Sequence, residues 1–263
     1  MATSNGIRPS RVLLVECNNM NKWVGTTMPY EMHVPPLGLM YLASSSRAAL
    51  PNIEVRIVES SLSCPDDEGF QRILREFQPD VVGLRSIAFF LEELQRIASL
   101  VRMHSDATLI VGGPIVKAYK RRLFDEVPEV EIAVQGEGEQ VFVELLSGAS
   151  ASTVAGVLYR KGDEVVENAE RAESAKIDSL PIPAYDLIDI DCYQSQLSYA
   201  YNHRRQGVLL TSRGCVYSCT YCFSHWKGIR LRSATSIFQE IAELTTGTAS
   251  GTSTSSTTSS TSM

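Results

Sequence analysis

The chain has no apolar run approaching the roughly 18 residues that a membrane-spanning helix needs. Its opening, MATSNGIRPSRVLLVE, has no apolar core of signal-peptide length. Both absences point to a cytoplasmic protein with no membrane partner. It also lacks a basic excess: 24 Lys and Arg stand against 30 Asp and Glu, for a net charge of −6 and a pI near 5.3. Basic residues are scattered apart from short pairs such as Arg121-Arg122 and Arg204-Arg205, so a nucleic acid has no electrostatic reason to bind. A dinucleotide fingerprint is missing too, because the Gly-Glu-Gly-Glu run at 136–139 has no third glycine and follows the last strand of its region. Disulfides are rare in the cytoplasm, so the six cysteines need another explanation. Cys17, Cys64 and Cys192 lie far apart and read as small buried or surface residues. Cys215, Cys219 and Cys222 crowd into eight positions, which chance seldom produces.

What is present is enough apolar side chain, 44% of 263 residues, for a sizeable core in one or two domains. From Arg11 to about Gly148, short apolar runs alternate with amphipathic stretches. Strands are expected over 11–17, 53–60, 80–87, 107–114 and 131–136, and helices over 35–50, 66–78, 90–105, 117–127 and 139–146. Five successive strand–helix units predict an α/β fold, a doubly wound, flavodoxin-like parallel sheet. In such sheets ligands sit at the carboxyl ends of the strands. Here those ends are the long loop 18–34, Ser86-Ile87, Gly112-Gly113-Pro114 and Gly136-Glu137-Gly138. Each glycine taken singly is an ordinary turn residue, but glycine exits on two neighbouring strands would let a bulky ligand approach the backbone. A hairpin is expected over 153–171 with its turn at Lys161-Gly162-Asp163, then a Pro-punctuated linker at 177–190. A strand over 207–215 runs into the cysteine loop, and a helix over 233–244 has Ser233 or Thr235 available as its cap.

Three soft thiolates in eight positions select zinc or an iron–sulfur centre. A cuboidal cluster would keep its fourth iron without a protein ligand. A zinc knuckle would need His225 as the fourth ligand, although common zinc ribbons use two Cys-x-x-Cys pairs and no second pair is present.

The segment LLTSRGCVYSCTYCFSHWKGIRLRSATSIFQEIAEL resembles the opening of a radical-SAM domain. The likeness lies in the Arg-Gly before the first cysteine, the aromatic Tyr221 before the third, and the Arg-Ser that opens the helix. Upstream, VPPLGLMYLAS, VVGLRS, IVGGP, QGEGE and SLPIPAYDL are similar in order and spacing to the cobalamin-binding domain that precedes it in one large subclass. The resemblance implies that Cys215, Cys219 and Cys222 hold a 4Fe–4S cluster whose open iron chelates S-adenosylmethionine, with Tyr221 against the adenine. It implies a cobalamin site that includes Pro36, Gly38, Ser86, Gly112, Gly113, Pro114, Gly136, Glu137 and Gly138. The favoured chemistry that it implies is methyl transfer to an unactivated carbon of a small-molecule or peptide substrate through a 5′-deoxyadenosyl radical, with ring contraction or cyclisation, found in others of the subclass, as the alternative. A flavodoxin or ferredoxin would supply the electron. The alternative is a corrinoid-binding module with a non-catalytic cluster or zinc loop.

Two departures shape the expectation. There is no Asp-x-His-x-x-Gly run, so the corrinoid is expected base-off without a histidine from His33, His104, His203 or His225. After one strand–loop–helix unit the sequence turns to Ser and Thr, so a truncated radical-SAM barrel with little or no S-adenosylmethionine cleavage is expected. The expected organisation is a Rossmann-like cobalamin-binding domain over 1–150, a hairpin and linker over 151–206, the start of the radical-SAM domain over 207–244, and a disordered tail over 245–263.

Overall fold

A computed structural model describes residues 6–18, 34–64, 66–172, 177–194, 207–220, 222 and 228–246. Strands β1 (Arg11–Glu16), β2 (Glu54–Glu59), β3 (Val81–Arg85), β4 (Thr108–Gly112) and β5 (Ile132–Val134) form the parallel part of a seven-stranded sheet. Its order begins β2-β1-β3-β4-β5, the 2-1-3-4-5 arrangement of a flavodoxin-like sheet. Helices α1 (Leu37–Ala49), α2 (Asp67–Phe77), α3 (Leu91–His104), α4 (Pro114–Tyr119) and α5 (Gly138–Leu146) cover both faces.

Alternation along each strand divides the core between these faces. Leu13 and Val15 join Val82, Leu84, Leu109 and Val111 under α2, α3 and α4. Val12 and Leu14 join Val81, Ile110, Ile132 and Val134 under α1 and α5. Helix α2 starts where Asp66 accepts the Gly69 amide at 2.7 Å, and Asp67 and Glu68 in its first turn favour the positive end of the helix dipole.

Two expected elements come out differently, and the expected hairpin forms with its turn in place but also joins the sheet. The helix expected at 117–127 is broken into α4, a 3₁₀ turn over Lys120–Arg122 and a single turn over Leu123–Glu126, with Lys120 at φ +49° where the helical path breaks. The hairpin β6 (Val157–Lys161) and β7 (Glu164–Glu167) pairs antiparallel to β5 and extends the sheet beyond its parallel part. Its turn holds Gly162 at φ +62°. The strand expected at 207–215 is short: among the described residues β8 (Ser212–Cys215) pairs only with β9 (Gly228–Leu231), as a separate antiparallel ribbon.

The last helix, α6 (Ala234–Thr246), starts at Ser233, whose hydroxyl accepts the Ser236 amide at 3.2 Å. It extends two residues past the boundary at 244, and the rest of the proposed tail lies outside the described residues. Glu240 on α6 is fully buried. It accepts from Arg232 and, at 2.6 Å, from the Tyr185 hydroxyl, fixing the helix to the α1/α5 side of the sheet. Burial pushes the Tyr185 phenol well up, and donation to Glu240 pushes the same way.

Candidate functional site

Turns at the carboxyl ends of β3, β4 and β5, together with the amino ends of α1 and α5, enclose a cavity of about 450 Å³. Its apolar wall includes Leu37, Leu42, Ile110, Val134 and Phe142. Gly38, Gly112, Gly113, Pro114, Gly136, Glu137 and Gly138, all expected in the binding site, line it together. Pro36 and Ser86 lie off the wall. Pro36 precedes α1, and the buried Ser86 hydroxyl is 3.2–3.4 Å from the carbonyls of Cys17, Ile87 and Phe90. Tyr221 and most of the loop 18–34 lie outside the described residues.

The glycines differ in what they permit. A Cβ on Gly112 would meet nothing within 4 Å, so its missing side chain is open space on the cavity wall. Gly136 is equally open but sits at φ +86°, which also favours glycine. Gly113, at φ +89°, would place a Cβ 2.8 Å from the Ser86 carbonyl oxygen. That carbonyl receives the Ile115 amide at 3.3 Å, so Gly113 is small because the β4–α4 turn packs on the end of β3.

Sequence reasoning missed the roof. Leu210, Ser212, Arg213 and Gly214 close the cavity from the ribbon side. Arg213 donates to Glu137 at 2.9 Å and also pairs with Glu139. Arg230 donates to Glu137 at 2.8 Å and 3.0 Å. The four side chains are between 9% and 16% exposed, so the pairs are largely withdrawn from water. Burial works against the charge on Arg213, but Glu139 and Glu137 outweigh it and hold its pKa up. The Arg213 guanidinium also lies 5.3 Å from the centre of the Tyr41 ring. Burial, aided by Glu240, pushes the Tyr41 phenol up to about 12.

Directly after Arg213 and Gly214 comes Cys215. Cys215, Cys219 and Cys222 are free and exposed. The Tyr217 amide points at the Cys215 sulfur at 3.4 Å, and the Cys222 amide donates to the Cys219 carbonyl at 3.1 Å, which ties the third cysteine back to the second. Among the described residues no group of three His, Cys, Asp or Glu side chains is gathered as a metal site. The donor set itself, three accessible thiols without competing disulfides, suits a thiolate-ligated cluster. Cys17 and Cys64 are fully buried, and burial raises both thiol pKa values, Cys64 to about 12.

At the far side of the cavity a charged row crosses the strand ends. Glu59, Glu16, Arg85 and Gly112 are successive neighbours in the sheet register. Arg85 reaches the cavity and donates to Glu16. Burial raises the Glu16 pKa to about 7 despite Arg85, and Glu59 adds to the rise.

Residues 23–146 match the B12 binding domain model. An uncharacterized methyltransferase of Pyrococcus horikoshii is 28% identical over 84% of this chain and 47% of its own length. The anaerobic magnesium-protoporphyrin IX monomethyl ester cyclase of Cereibacter sphaeroides is 26% identical over 80% of this chain and 35% of its own. The cobalamin-dependent radical SAM methyltransferase TokK of Streptomyces tokunonensis is 28% identical over 55% and 22%. The chain thus spans half or less of the length of these relatives. The radical S-adenosylmethionine methyltransferase TsrM of Kitasatospora setae, solved with cobalamin and a 4Fe-4S cluster, superposes with a TM-score of 0.62 at 20% identity. That alignment covers 91% of this chain and 46% of TsrM. The apo form of the cobalamin-dependent S-adenosylmethionine radical enzyme OxsB gives a TM-score of 0.65 at 22% identity, over 92% and 32% of the two chains. At these identities the structural likeness establishes the fold.

Proposed function

We propose that this chain, whose relatives include cobalamin-dependent radical SAM methyltransferases and which carries a B12 binding domain, is the cofactor-binding part of an enzyme of that kind. One observation carries the reading. The cavity at the strand ends is roofed by the same short strand that leads into Cys215. A ligand in the cavity and a cluster on the cysteine loop would therefore be neighbours.

Gly112 and Gly136 leave open wall where a flat macrocycle could approach the backbone, and Leu37, Leu42, Ile110, Val134 and Phe142 provide an apolar surface that excludes water. The cavity is read as a seat for the corrinoid. Gly38, Gly113, Pro114, Glu137 and Gly138 complete that seat. Pro36 and Ser86 support it from behind, Pro36 at the start of α1 and Ser86 through the carbonyls it holds. The sequence has no Asp-x-His-x-x-Gly run, and the corrinoid is accordingly assigned base-off. Cys215, Cys219 and Cys222 are assigned to a 4Fe–4S cluster, and Tyr221, by its place in the motif, to the adenine of S-adenosylmethionine. When bound, these cofactors supply radical generation and a methyl group. The reaction assigned is methyl transfer to an unactivated carbon of a small molecule, with a flavodoxin or ferredoxin as reductant.

The test is anaerobic iron–sulfide reconstitution of the full chain, followed by titration with hydroxocobalamin. The expected result is iron, sulfide and broad visible absorption that disappear in a Cys215→Ala, Cys219→Ala, Cys222→Ala triple variant and persist in Cys17→Ala and Cys64→Ala. Cobalamin is expected to bind with a base-off spectrum. Stoichiometric zinc with no cluster would overturn the cluster assignment, and failure to bind cobalamin would overturn the corrinoid assignment.

A further inference from the structure

Glu137 is unusual in serving two structures at once. It belongs to the Gly136-Glu137-Gly138 turn on the cavity wall, and its carboxylate takes both ribbon arginines. Arg213 and Arg230 face each other across the ribbon register, so a single carboxylate clamps both strands at the same level. Glu139, two residues further on in the first turn of α5, takes the second arm of Arg213. Two arginines and two glutamates balance in charge, and their low exposure means that removing one partner leaves another charge poorly solvated. The partners lie 76 and 93 positions apart in the chain, so the clamp ties the end of the sheet to the cysteine region across a long stretch of sequence. Cys215 is two residues from Arg213 and pairs with Gly228 in the same ribbon, so little slack separates the clamp from the first thiol.

We propose that Glu137 is a positioning residue that sets where the Cys215 loop stands over the cavity, so that the wall touching one cofactor also orients the other. The proposal rests on reading the cavity as a corrinoid seat and the cysteines as cluster ligands. Glu137 itself moves no proton and donates no ligand here. Its part is to hold two guanidinium groups in one place.

Two measurements on the full chain separate this proposal from the reading beneath it. The first needs no cofactor: amide hydrogen exchange over 212–215 and 228–231 in wild type, Glu137→Gln and Glu137→Asp. The neutral isostere Glu137→Gln should exchange about tenfold faster there, with exchange in β1, β3 and β4 unchanged and partial recovery in Glu137→Asp. The second measurement uses the reconstituted chain loaded with cobalamin and reduced, so that cluster and cob(II)alamin are both paramagnetic. Pulsed electron paramagnetic resonance should give one narrow distance distribution in wild type and a broadened or shifted one in Glu137→Gln at equal iron content. An unchanged distribution, or unchanged exchange in the ribbon, overturns the proposal. Wild type that takes up neither cluster nor cobalamin would instead overturn the underlying reading, and the exchange experiment would still decide whether the clamp holds the ribbon.

Discussion

Gly112 and Gly113 are adjacent and chemically identical, yet the structure gives them different work. Gly112 faces open space in the cavity, whereas Gly113 has a positive φ and no room for a Cβ. Gly112→Leu should therefore fold close to wild type and lose at least about tenfold in cobalamin affinity, a change of about 1.4 kcal/mol. Gly113→Ala should cost about 1–3 kcal/mol of stability through backbone strain, readable as an earlier urea midpoint. Wild-type cobalamin affinity in Gly112→Leu would show that the cavity is not the corrinoid's seat. The Gly-Gly-Pro run was legible in the sequence as a strand exit. The division of labour was not, because it depends on the Ser86 carbonyl, which β3 brings alongside from a distant part of the chain.

At the scale of elements, sequence periodicity located all five parallel strands and four of their helices within a few residues. Short apolar runs are a local signal, and β1, β3, β4 and β5 bury both faces, while β2 alternates with Glu54 and Arg56 exposed. Features set by long-range contact were not legible. The break at Lys120 and the pairing of β6 with β5 have no periodic trace. The Arg-Gly ahead of Cys215 was visible as a motif without a reason, and the ribbon supplies one. Arg213 enters the clamp, and a Cβ on Gly214, at φ +94°, would stand 2.2 Å from the Gly228 carbonyl oxygen. Gly214→Ala should therefore open β8 from β9. Its reconstituted form is expected to lose most of its iron while the sheet's thermal midpoint stays within about 2 °C of wild type. Full cluster loading in this variant would show that ribbon pairing is not needed to present Cys215.

For the molecule as a whole, the buried charge row gives stability a pH dependence of definite sign. Burial, opposed by Arg85, leaves Glu16 with a folded pKa of about 7 against an ordinary value of 4.5. Between those values the folded chain holds a proton that the unfolded chain has released, so stability falls as pH rises through that window and levels off above it. The effect is at most about 3.5 kcal/mol. Urea unfolding of wild type and Glu16→Gln from pH 4.5 to 8 should show wild type losing ground to the variant up to about pH 7 and no further. A difference that does not vary with pH would mean that Glu16 is ionised in the folded state throughout.

Among the described residues the seven-stranded sheet does not close on itself, and its two outer strands present backbone groups that another copy could use as a template. On one side, β2 turns Glu54 and Arg56 to solvent. On the other, β7 is only four residues long and begins and ends with glutamate, Glu167 lying near Lys120 and Arg121. If two copies joined β7 to β7 in antiparallel register, Glu164 of each would stand opposite Glu167 of the other. Like charges directly across a strand pair repel. The hairpin that widens the sheet thus also ends it in a strand that resists growing into a fibre.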